Sequence, residues 1–212
     1  MTDYYPVFLD VREQKALVVG GGPVAERKVR GLLSSGAKVT VLSPCLEPGL
    51  RELAEDGSIA VDSRVYRSGD ASGFFIVIAA TDDQEVNHQV YADVDTRGGL
   101  VNSVDDPHNC RFIVPSTVER GSLVIAISTG GKSPALAKRI REEIEAIFPQ
   151  EYSDYLEEFA RLRQKLRERL TDPTDREEAW RSLMQSGLLE LLKQGQLAEA
   201  EKRLADLAGE HR

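Results

Sequence analysis

The chain has 212 residues, of which 41% are hydrophobic and 29% charged, so it can form one large globular domain or two small ones. Its net charge of −8 argues against a general nucleic-acid-binding protein, and its longest apolar run, residues 74–80, is too short to span a membrane. Because its N-terminus does not read as a secretory signal and its two cysteines form no CxxC pair, we expect a cytoplasmic protein without a disulfide framework.

Strands and helices alternate along the first half of the chain. Short apolar runs predict strands at residues 15–20, 38–42, 59–66, 74–80 and 100–104. Apolar residues at helical spacing predict helices at residues 24–33, 46–56 and 85–97. This alternation indicates an α/β fold with a Rossmann-type parallel sheet and right-handed crossovers.

The pattern changes near residue 113. Two strand-like runs, residues 111–118 and 122–128, flank Glu119-Arg120-Gly121 and predict an antiparallel hairpin. A helix is predicted over residues 133–147, and the charged remainder is helical with breaks near residues 171–173 and at Gly187. We predict three parts: a Rossmann-type domain over 1–113, a small α+β hairpin-plus-helix segment over 114–148, and a helical C-terminal domain over 149–212.

A glycine-rich turn joins the first predicted strand to the first predicted helix. Gly20, Gly22 and Ala25 form a G-x-G-x-x-A pattern, in which Gly20 permits a tight turn and Gly22 lets the backbone approach a pyrophosphate. The alternative is a plain glycine turn. The second strand ends at Ser43, where an acid would normally hold the ribose of NAD, and no base stands there for the 2′-phosphate of NADP. We predict a dinucleotide site that favours NAD.

Polar residues also follow two later strands. Asp105 comes just after the strand at 100–104, at the edge where open parallel sheets bind ligands, and its carboxylate can serve as a general base beside a nicotinamide. Thr81 and Asp82 follow the strand at 74–80 and are expected near the cofactor. The alternatives are an Asp-Asp-Pro turn at Asp105 and a helix cap at Thr81 or Asp82. We interpret Asp106, which precedes a proline, as a turn residue.

The segment S-T-G-G-K-S-P at residues 128–134 resembles a phosphate loop. The first glycine of that motif would fall at Ala126, inside a strand, so an ATP-binding loop is disfavoured and an anion site near Lys132 is expected instead. The histidines have no ligand-like spacing, so we predict no preformed metal site. They are His88, His108 and His211.

Taken in order, V-V-G-G-G-P-V-A-E-R-K, A-A-T-D-D, V-N-S-V-D-D-P and I-S-T-G-G-K-S-P resemble the motifs of the precorrin-2 dehydrogenase / sirohydrochlorin ferrochelatase family of siroheme biosynthesis. Beyond about residue 150 the resemblance is mainly one of length and helical character. It implies a homodimer built on the middle segment, with the active site in a cleft of the dinucleotide domain. NAD⁺ would accept a hydride from precorrin-2 to give sirohydrochlorin, and in bifunctional members the same cleft would insert Fe²⁺.

The resemblance also implies roles for individual residues. Asp105 matches the family's catalytic aspartate, which would accept a proton during oxidation and help to remove pyrrole protons during metal insertion. The pyrophosphate loop is matched by Gly22, Pro23 and Val24, and the segment beside the adenosine ribose by Ser43 and Pro44. Because the substrate is a polycarboxylate, basic residues are expected to supply a local positive field. The predicted substrate-binding residues are Asn102, Arg111, Arg120, Thr129 and Lys132.

Two other function classes stay open. A non-catalytic NAD-sensing regulatory domain would bind the dinucleotide without turnover, although such domains usually carry an acid after the second strand and would not need residues 128–141. A P-loop nucleotide hydrolase would bind ATP.

Overall fold

A computed structural model of the protein describes residues 4–96 and 98–210. The predicted helix end at Arg97 therefore lies outside the described residues. The chain divides into two compact units, Met1–Val114 and Pro115–Arg212. The further division of the second unit near residue 148 stays a prediction.

The described part of the first unit contains a five-stranded parallel sheet. Its strands are β1 (Lys15–Val19), β2 (Lys38–Leu42), β3 (Ala60–Asp62), β4 (Ile76–Ala79) and β5 (Leu100–Ser103). They lie in the order β3-β2-β1-β4-β5, and every neighbouring pair is parallel. Successive strands are added on one side of β1 up to β3 and on its other side from β4 onward, so a crevice opens at the carboxyl ends of β1 and β4. The predicted Rossmann-type α/β fold is confirmed.

Helices cover both faces of this sheet: α1 (Pro23–Ser34), α2 (Pro48–Glu55) and α3 (Gln84–Asp95). Successive side chains of a strand point to opposite faces, so alternate residues of β1 enter different apolar clusters. Ala16 and Val18 pack in the cluster that contains residues of α1 and α2, whereas Leu17 and Val19 pack in the cluster that contains residues of α3. Because β1 is packed on both faces, the glycine turn that follows it is held in a defined position at the carboxyl edge of the sheet.

Several predicted elements are longer than the observed ones, and two of these differences affect the loops that follow β2 and β3. The third strand was predicted over residues 59–66 but ends at Asp62, because the amide of Arg64 donates to the carbonyl of Asp62 and turns the chain. The second helix was predicted from residue 46 but begins at Pro48, since the amide of Glu47 bonds to the carbonyl of Gly21 instead. Both differences add loop residues at the carboxyl edge of the sheet.

The second unit begins with the predicted antiparallel hairpin. Its strands are β6 (Ser116–Arg120) and β7 (Leu123–Ile127), and its helices are α4 (Pro134–Ile147), α5 (Tyr152–Arg169), α6 (Pro173–Gln185), α7 (Leu188–Lys193) and α8 (Leu197–Glu210). Helices α5 to α8 enclose a leucine-rich cluster that includes Leu162, Leu183 and Leu204. The breaks fall where predicted, since Asp172 caps α6 and Gly187 adopts a φ of 83°. Over the described residues, no helix is long and apolar enough to cross a membrane.

Candidate active site

Two adjoining clefts open at the carboxyl edge of the first unit's sheet. The first has a volume of about 500 Å³ and is lined by residues 19–24, 42–47, 64–66, 80–83 and 86. The second, of about 300 Å³, is lined by residues 24, 80–82, 84, 87–88 and 103–106. The clefts share Val24, Ala80, Thr81 and Asp82, so a single extended ligand can occupy both.

The glycine turn forms the floor of the first cleft. Gly20 has a φ of 123°, and a Cβ there would lie 2.2 Å from the carbonyl oxygen of Ala80. A Cβ on Gly21 would lie 1.9 Å from the carbonyl oxygen of Cys45, so both glycines are needed for the turn itself. Gly22 differs, because a Cβ on it would meet no described atom within 4 Å. Gly22 thus leaves an open cradle beside the first-turn amides of α1, which have no intrahelical partner and fit a pyrophosphate.

Ser43 and Pro44 line the first cleft, as does Arg64, and their place beside a ribose stays a prediction. The Ser43 hydroxyl donates to the carbonyl of Cys45 at 2.7 Å, which fixes the turn after β2. Arg64 forms ion pairs with Asp62 at 2.8 Å and with Asp70 at 2.6 Å. Sequence reasoning missed Arg64 because it lay inside the predicted third strand; a shorter strand would have placed it at the ligand edge.

Thr81 and Asp82 line both clefts, but neither of them caps α3. Asp83 is the cap, since its Oδ1 accepts from the amides of Glu85 at 3.0 Å and Val86 at 3.3 Å. The alternative in which Thr81 or Asp82 caps this helix is therefore wrong. The Thr81 hydroxyl is held by Asn87 Oδ1 at 3.0 Å, which leaves Asp82 as the carboxylate at the junction of the clefts.

Asp105 lies in the second cleft, in the turn after β5. It is exposed and has a φ of 61°, a left-handed conformation that costs free energy in a residue with a side chain. The Cys110 thiol anchors the base of this turn, because its Sγ accepts from the Ser103 amide at 3.3 Å and lies 3.2 Å from the carbonyl oxygens of Ser103 and Asp106. Burial raises the pKa of the Cys110 thiol, so it keeps the proton that it donates.

Asp106 has the geometry of a turn residue and also borders the second cleft. Its Oδ2 accepts from Asn109 Nδ2 at 2.6 Å, and this hydrogen bond lowers the pKa of the Asp106 carboxyl. The residue precedes a 3-10 helix, Pro107–Asn109. Its Oδ2 also lies 3.4 Å from Nε2 of His88, which borders the same cleft.

Two polar groups near Asp105 were missed from the sequence. Ser103, at the end of β5, lines the second cleft and is only 2% exposed. Lys28 of α1 is half-buried and, among the described residues, forms no ion pair; burial lowers the pKa of its amine, while the nearby Asp105 raises it. Lys28 ends the motif V-V-G-G-G-P-V-A-E-R-K and Ser103 lies within V-N-S-V-D-D-P, but neither motif indicates that these particular side chains lie near Asp105.

Two of the predicted substrate-binding residues lie in the first unit and are engaged in other contacts. Asn102 is buried, and its Nδ2 donates to the carbonyl of Phe112 at 3.0 Å. Arg111 forms an ion pair with Asp95. Both contacts brace the segment that follows β5, and a role for these residues in substrate binding stays a prediction.

The other three predicted substrate-binding residues belong to the second unit. Arg120 donates to the carbonyls of Phe148 and Glu119, both at 2.7 Å, and thereby ties the end of β6 to the end of α4. Thr129 Oγ1 accepts from the amide of Ser133 at 3.1 Å. Lys132 is exposed in the turn before α4. Their contact with a substrate also stays a prediction.

No group of three metal-ligating side chains is present in the part of the chain that the structure describes, which excludes His211.

Three family models match the chain in succession. The first, described as putative NAD(P)-binding, matches residues 7–116; the second, sirohaem biosynthesis protein central, matches 120–147; and the third, sirohaem synthase dimerisation region, matches 151–208. The model named for dimerisation therefore matches the helical segment, whereas the sequence analysis assigned dimerisation to residues 114–148. That assignment stays a prediction.

Curated and solved relatives extend this similarity over nearly the whole chain. The siroheme synthases of Nitrosococcus oceani and Methylococcus capsulatus are 40% and 39% identical over 201 and 206 residues, which cover 95% and 97% of this chain but 43% and 44% of the relatives. The chain thus spans less than half the length of these relatives. A solved structure, SirC, precorrin-2 dehydrogenase, matches with a TM-score of 0.79 and 31% identity over 94% of this chain and 100% of that one. The chain therefore belongs to the precorrin-2 dehydrogenase and siroheme synthase family, and its first unit is an NAD(P)-binding domain.

Proposed function

We propose that this chain oxidises precorrin-2 to sirohydrochlorin in siroheme biosynthesis, with NAD⁺ as its cofactor. The observation that carries the proposal is the pair of adjoining clefts, with the open Gly22 cradle in the first and Asp105 in the second. NAD⁺, when bound, supplies the acceptor for the hydride. The similarity to SirC, precorrin-2 dehydrogenase, along that whole chain supports the choice of substrate.

The residues of the first cleft fit the pyrophosphate and adenosine parts of NAD. The space over Gly22 and the free amides at the start of α1 would hold the pyrophosphate, with Pro23 and Val24 forming the adjacent wall. Ser43 and Pro44 would lie beside the ribose. These contacts need no acid after β2, because backbone amides provide the anion site.

The charge around Arg64 favours NAD over NADP. Arg64 is the basic side chain of the first cleft, but its guanidinium already pairs with the carboxylates of Asp62 and Asp70. One guanidinium and two carboxylates leave this group with a net charge of −1, and a 2′-phosphate would bring nearly two further negative charges beside it. We therefore expect the group to repel the 2′-phosphate of NADP, whereas NAD carries no charge at this position.

Asp105 is the proposed general base. Its carboxylate lies in the cleft that adjoins the cofactor cradle and is exposed to an incoming substrate. A positioned carboxylate that takes a proton from the tetrapyrrole assists its oxidation. Asp82 is proposed to lie beside the cofactor at the junction of the clefts, together with Thr81.

The polycarboxylate substrate needs positive charge that the second cleft does not supply, because three carboxylates line it: Asp82, Asp105 and Asp106. We assign substrate binding to Asn102, Arg111, Arg120, Thr129 and Lys132, of which Arg111, Arg120 and Lys132 would supply the local positive field. The match of residues 151–208 to a dimerisation region supports a homodimer.

Insertion of Fe²⁺ into sirohydrochlorin is the second candidate activity. It is favoured by the relatives named siroheme synthase, which match 95% to 98% of this chain. Fe²⁺ would be a substrate bound by the tetrapyrrole nitrogens, and Asp105 would take up the pyrrole protons that the metal displaces.

The test is to incubate the purified protein with precorrin-2 and NAD⁺ and to follow NADH absorbance together with the tetrapyrrole spectrum. Formation of NADH and sirohydrochlorin supports the proposal. Binding of NAD⁺ without NADH formation rejects it and favours an NAD-sensing domain. Addition of Fe²⁺ or Co²⁺ to sirohydrochlorin, compared with the uncatalysed rate, tests the second activity.

Asp105→Asn tests the catalytic assignment, because asparagine tolerates the left-handed conformation at a φ of 61° and keeps the side-chain shape. We expect kcat to fall by roughly 10²- to 10⁴-fold, far more than the Kd for NAD⁺ rises through the loss of one negative charge. Asp105→Gly also fits this backbone and should be equally impaired. Full activity in either variant removes Asp105 from the mechanism.

A further inference from the structure

The hydroxyl of Ser103 is a buried polar group that lacks a protein partner. Ser103 is the last residue of β5 and is 2% exposed. Its Oγ is buried and has no hydrogen-bond partner among the described residues. Native structures leave few such groups unsatisfied, because a buried hydroxyl without a partner loses its hydration and gains nothing in return. Ser103 therefore marks a place where a molecule other than the protein completes the hydrogen bonding.

The backbone of Ser103 is fixed on both sides. Its amide donates to Cys110 Sγ at 3.3 Å, and its carbonyl oxygen lies 3.2 Å from the same sulfur. Ser103 also pairs with Ala79 of β4 in the parallel ladder. Only the side-chain hydroxyl is left for a ligand, and a fixed backbone keeps that hydroxyl in a defined position.

Ser103 lies in the cleft that would hold the nicotinamide half of a dinucleotide. Ser103 lines the second cleft, which adjoins the first through Val24 and Thr81. Dinucleotides lie across the reversal point of such a sheet, with the pyrophosphate at the first helix. The first cleft contains Ser43, after β2, and thus takes the adenosine half. The second cleft, beyond β4 and β5, takes the nicotinamide half.

The charges of the second cleft agree with this division. Asp82, Asp105 and Asp106 line it, so it attracts a cation and repels a carboxylate. The pyridinium ring of NAD⁺ carries a positive charge, whereas the substrate side chains are carboxylates. The neutral carboxamide of the same ring needs a hydrogen-bonding partner, and the Ser103 hydroxyl can donate to its oxygen or accept from its NH₂ group.

We propose that Ser103 Oγ binds the carboxamide of the nicotinamide ring and so fixes the orientation of the ring relative to Asp105. This inference deepens the proposed function but depends only on the binding of NAD⁺. Ser103 is thus a positioning residue, which holds the cofactor ring without taking part in proton transfer.

The test compares two ligands on Ser103→Ala by isothermal titration calorimetry. NAD⁺ contains the carboxamide, and ADP-ribose lacks the whole nicotinamide ring. We expect the Kd for NAD⁺ to rise roughly five- to tenfold and the Kd for ADP-ribose to stay unchanged. The melting temperature should not fall, because the substitution removes no hydrogen bond within the protein. Ser43→Ala is the matched control in the first cleft and should change both Kd values by the same factor.

The inference is overturned if Ser103→Ala changes neither Kd, since the hydroxyl then holds only water. It is also overturned if both Kd values rise equally, since the effect is then structural, or if the wild-type protein does not bind NAD⁺. A wild-type protein that binds NAD⁺ but leaves precorrin-2 unoxidised rejects the proposed function alone.

Discussion

Replacement of Gly22 by alanine is expected to weaken NAD⁺ binding without unfolding the protein. A Cβ there would meet no described atom within 4 Å, and the φ of −85° suits alanine. An alanine N-cap costs about 0.5–1 kcal/mol, and the reduced freedom of the unfolded chain returns about as much, so the free energy of unfolding should stay nearly constant. The methyl group nevertheless fills the cradle. Loss of two hydrogen bonds to a charged phosphate, at about 1.5 kcal/mol each, corresponds to a roughly 100-fold rise in Kd.

Gly21→Ala is the matched control, because its Cβ would lie 1.9 Å from the carbonyl oxygen of Cys45. Relief of that overlap requires a shift of the backbone by about an ångström, so we expect a loss of stability of about 1–3 kcal/mol or more. Urea denaturation measures the stability of both variants, and calorimetry measures NAD⁺ binding. Wild-type affinity in Gly22→Ala would show that no pyrophosphate lies over this residue. A loss of stability equal to that of Gly21→Ala would show that the cradle is not open.

Three further substitutions test charge and loop geometry. Asp70→Asn removes one of the two ion pairs of the Arg64 guanidinium and should raise the affinity for NADP⁺ roughly three- to tenfold relative to NAD⁺. Equal changes in the Kd values for NADP⁺ and NAD⁺ would contradict the charge argument. Cys110→Ala removes the bonds to the Ser103 backbone and should lower the free energy of unfolding by about 1–2 kcal/mol. Because the thiol anchors the turn that carries Asp105, the substitution should also lower kcat more than it raises the KM for NAD⁺. A variant with wild-type kcat would show that the geometry of this turn does not affect catalysis. Burial lowers the pKa of Lys28 from 10.5, so the unfolded state binds more protons between that lowered pKa and 10.5, and stability rises with pH in this window. The Lys28→Met variant should have a higher free energy of unfolding at pH 7 and should lack this rise with pH. A free energy of unfolding that changes with pH in parallel with the wild type would contradict the explanation.

The sheet and the cofactor cradle could be predicted because local signals agree there. An apolar β-branched run, a glycine pattern and an amphipathic helix follow one another from β1 to α1, and each requires the same strand–turn–helix arrangement. The third strand was predicted too long because its end depends on a backbone turn. The bond from the Arg64 amide to the Asp62 carbonyl leaves no trace in hydropathy, so Arg64 was placed in the sheet instead of the cleft.

The second cleft was only partly predictable, for reasons of the same kind. The position of Asp105 after a strand could be predicted, whereas its left-handed backbone could not, because most aspartates have a negative φ even though aspartate is enriched in the left-handed region. The cap of α3 falls on Asp83 and not on its polar neighbours, which compete for the same role in the sequence. The unpartnered hydroxyl of Ser103 depends on contacts between segments that are distant in the chain.

The proposed preference for NAD illustrates how the acid usually expected after β2 can be absent while its effect on the choice of cofactor is retained. The usual acid after β2 is replaced by Ser43, whose hydroxyl is occupied by the Cys45 carbonyl. Arg64, from the loop after β3, lines the same cleft, and its guanidinium is paired with the carboxylates of Asp62, the last residue of β3, and Asp70. On this proposal the choice of cofactor depends on a charge group with a net charge of −1 and not on a direct bond to the ribose. Removal of one carboxylate would neutralise the group and weaken its repulsion of a 2′-phosphate, whereas removal of an acid that bonds the ribose directly would lower the affinity for NAD first.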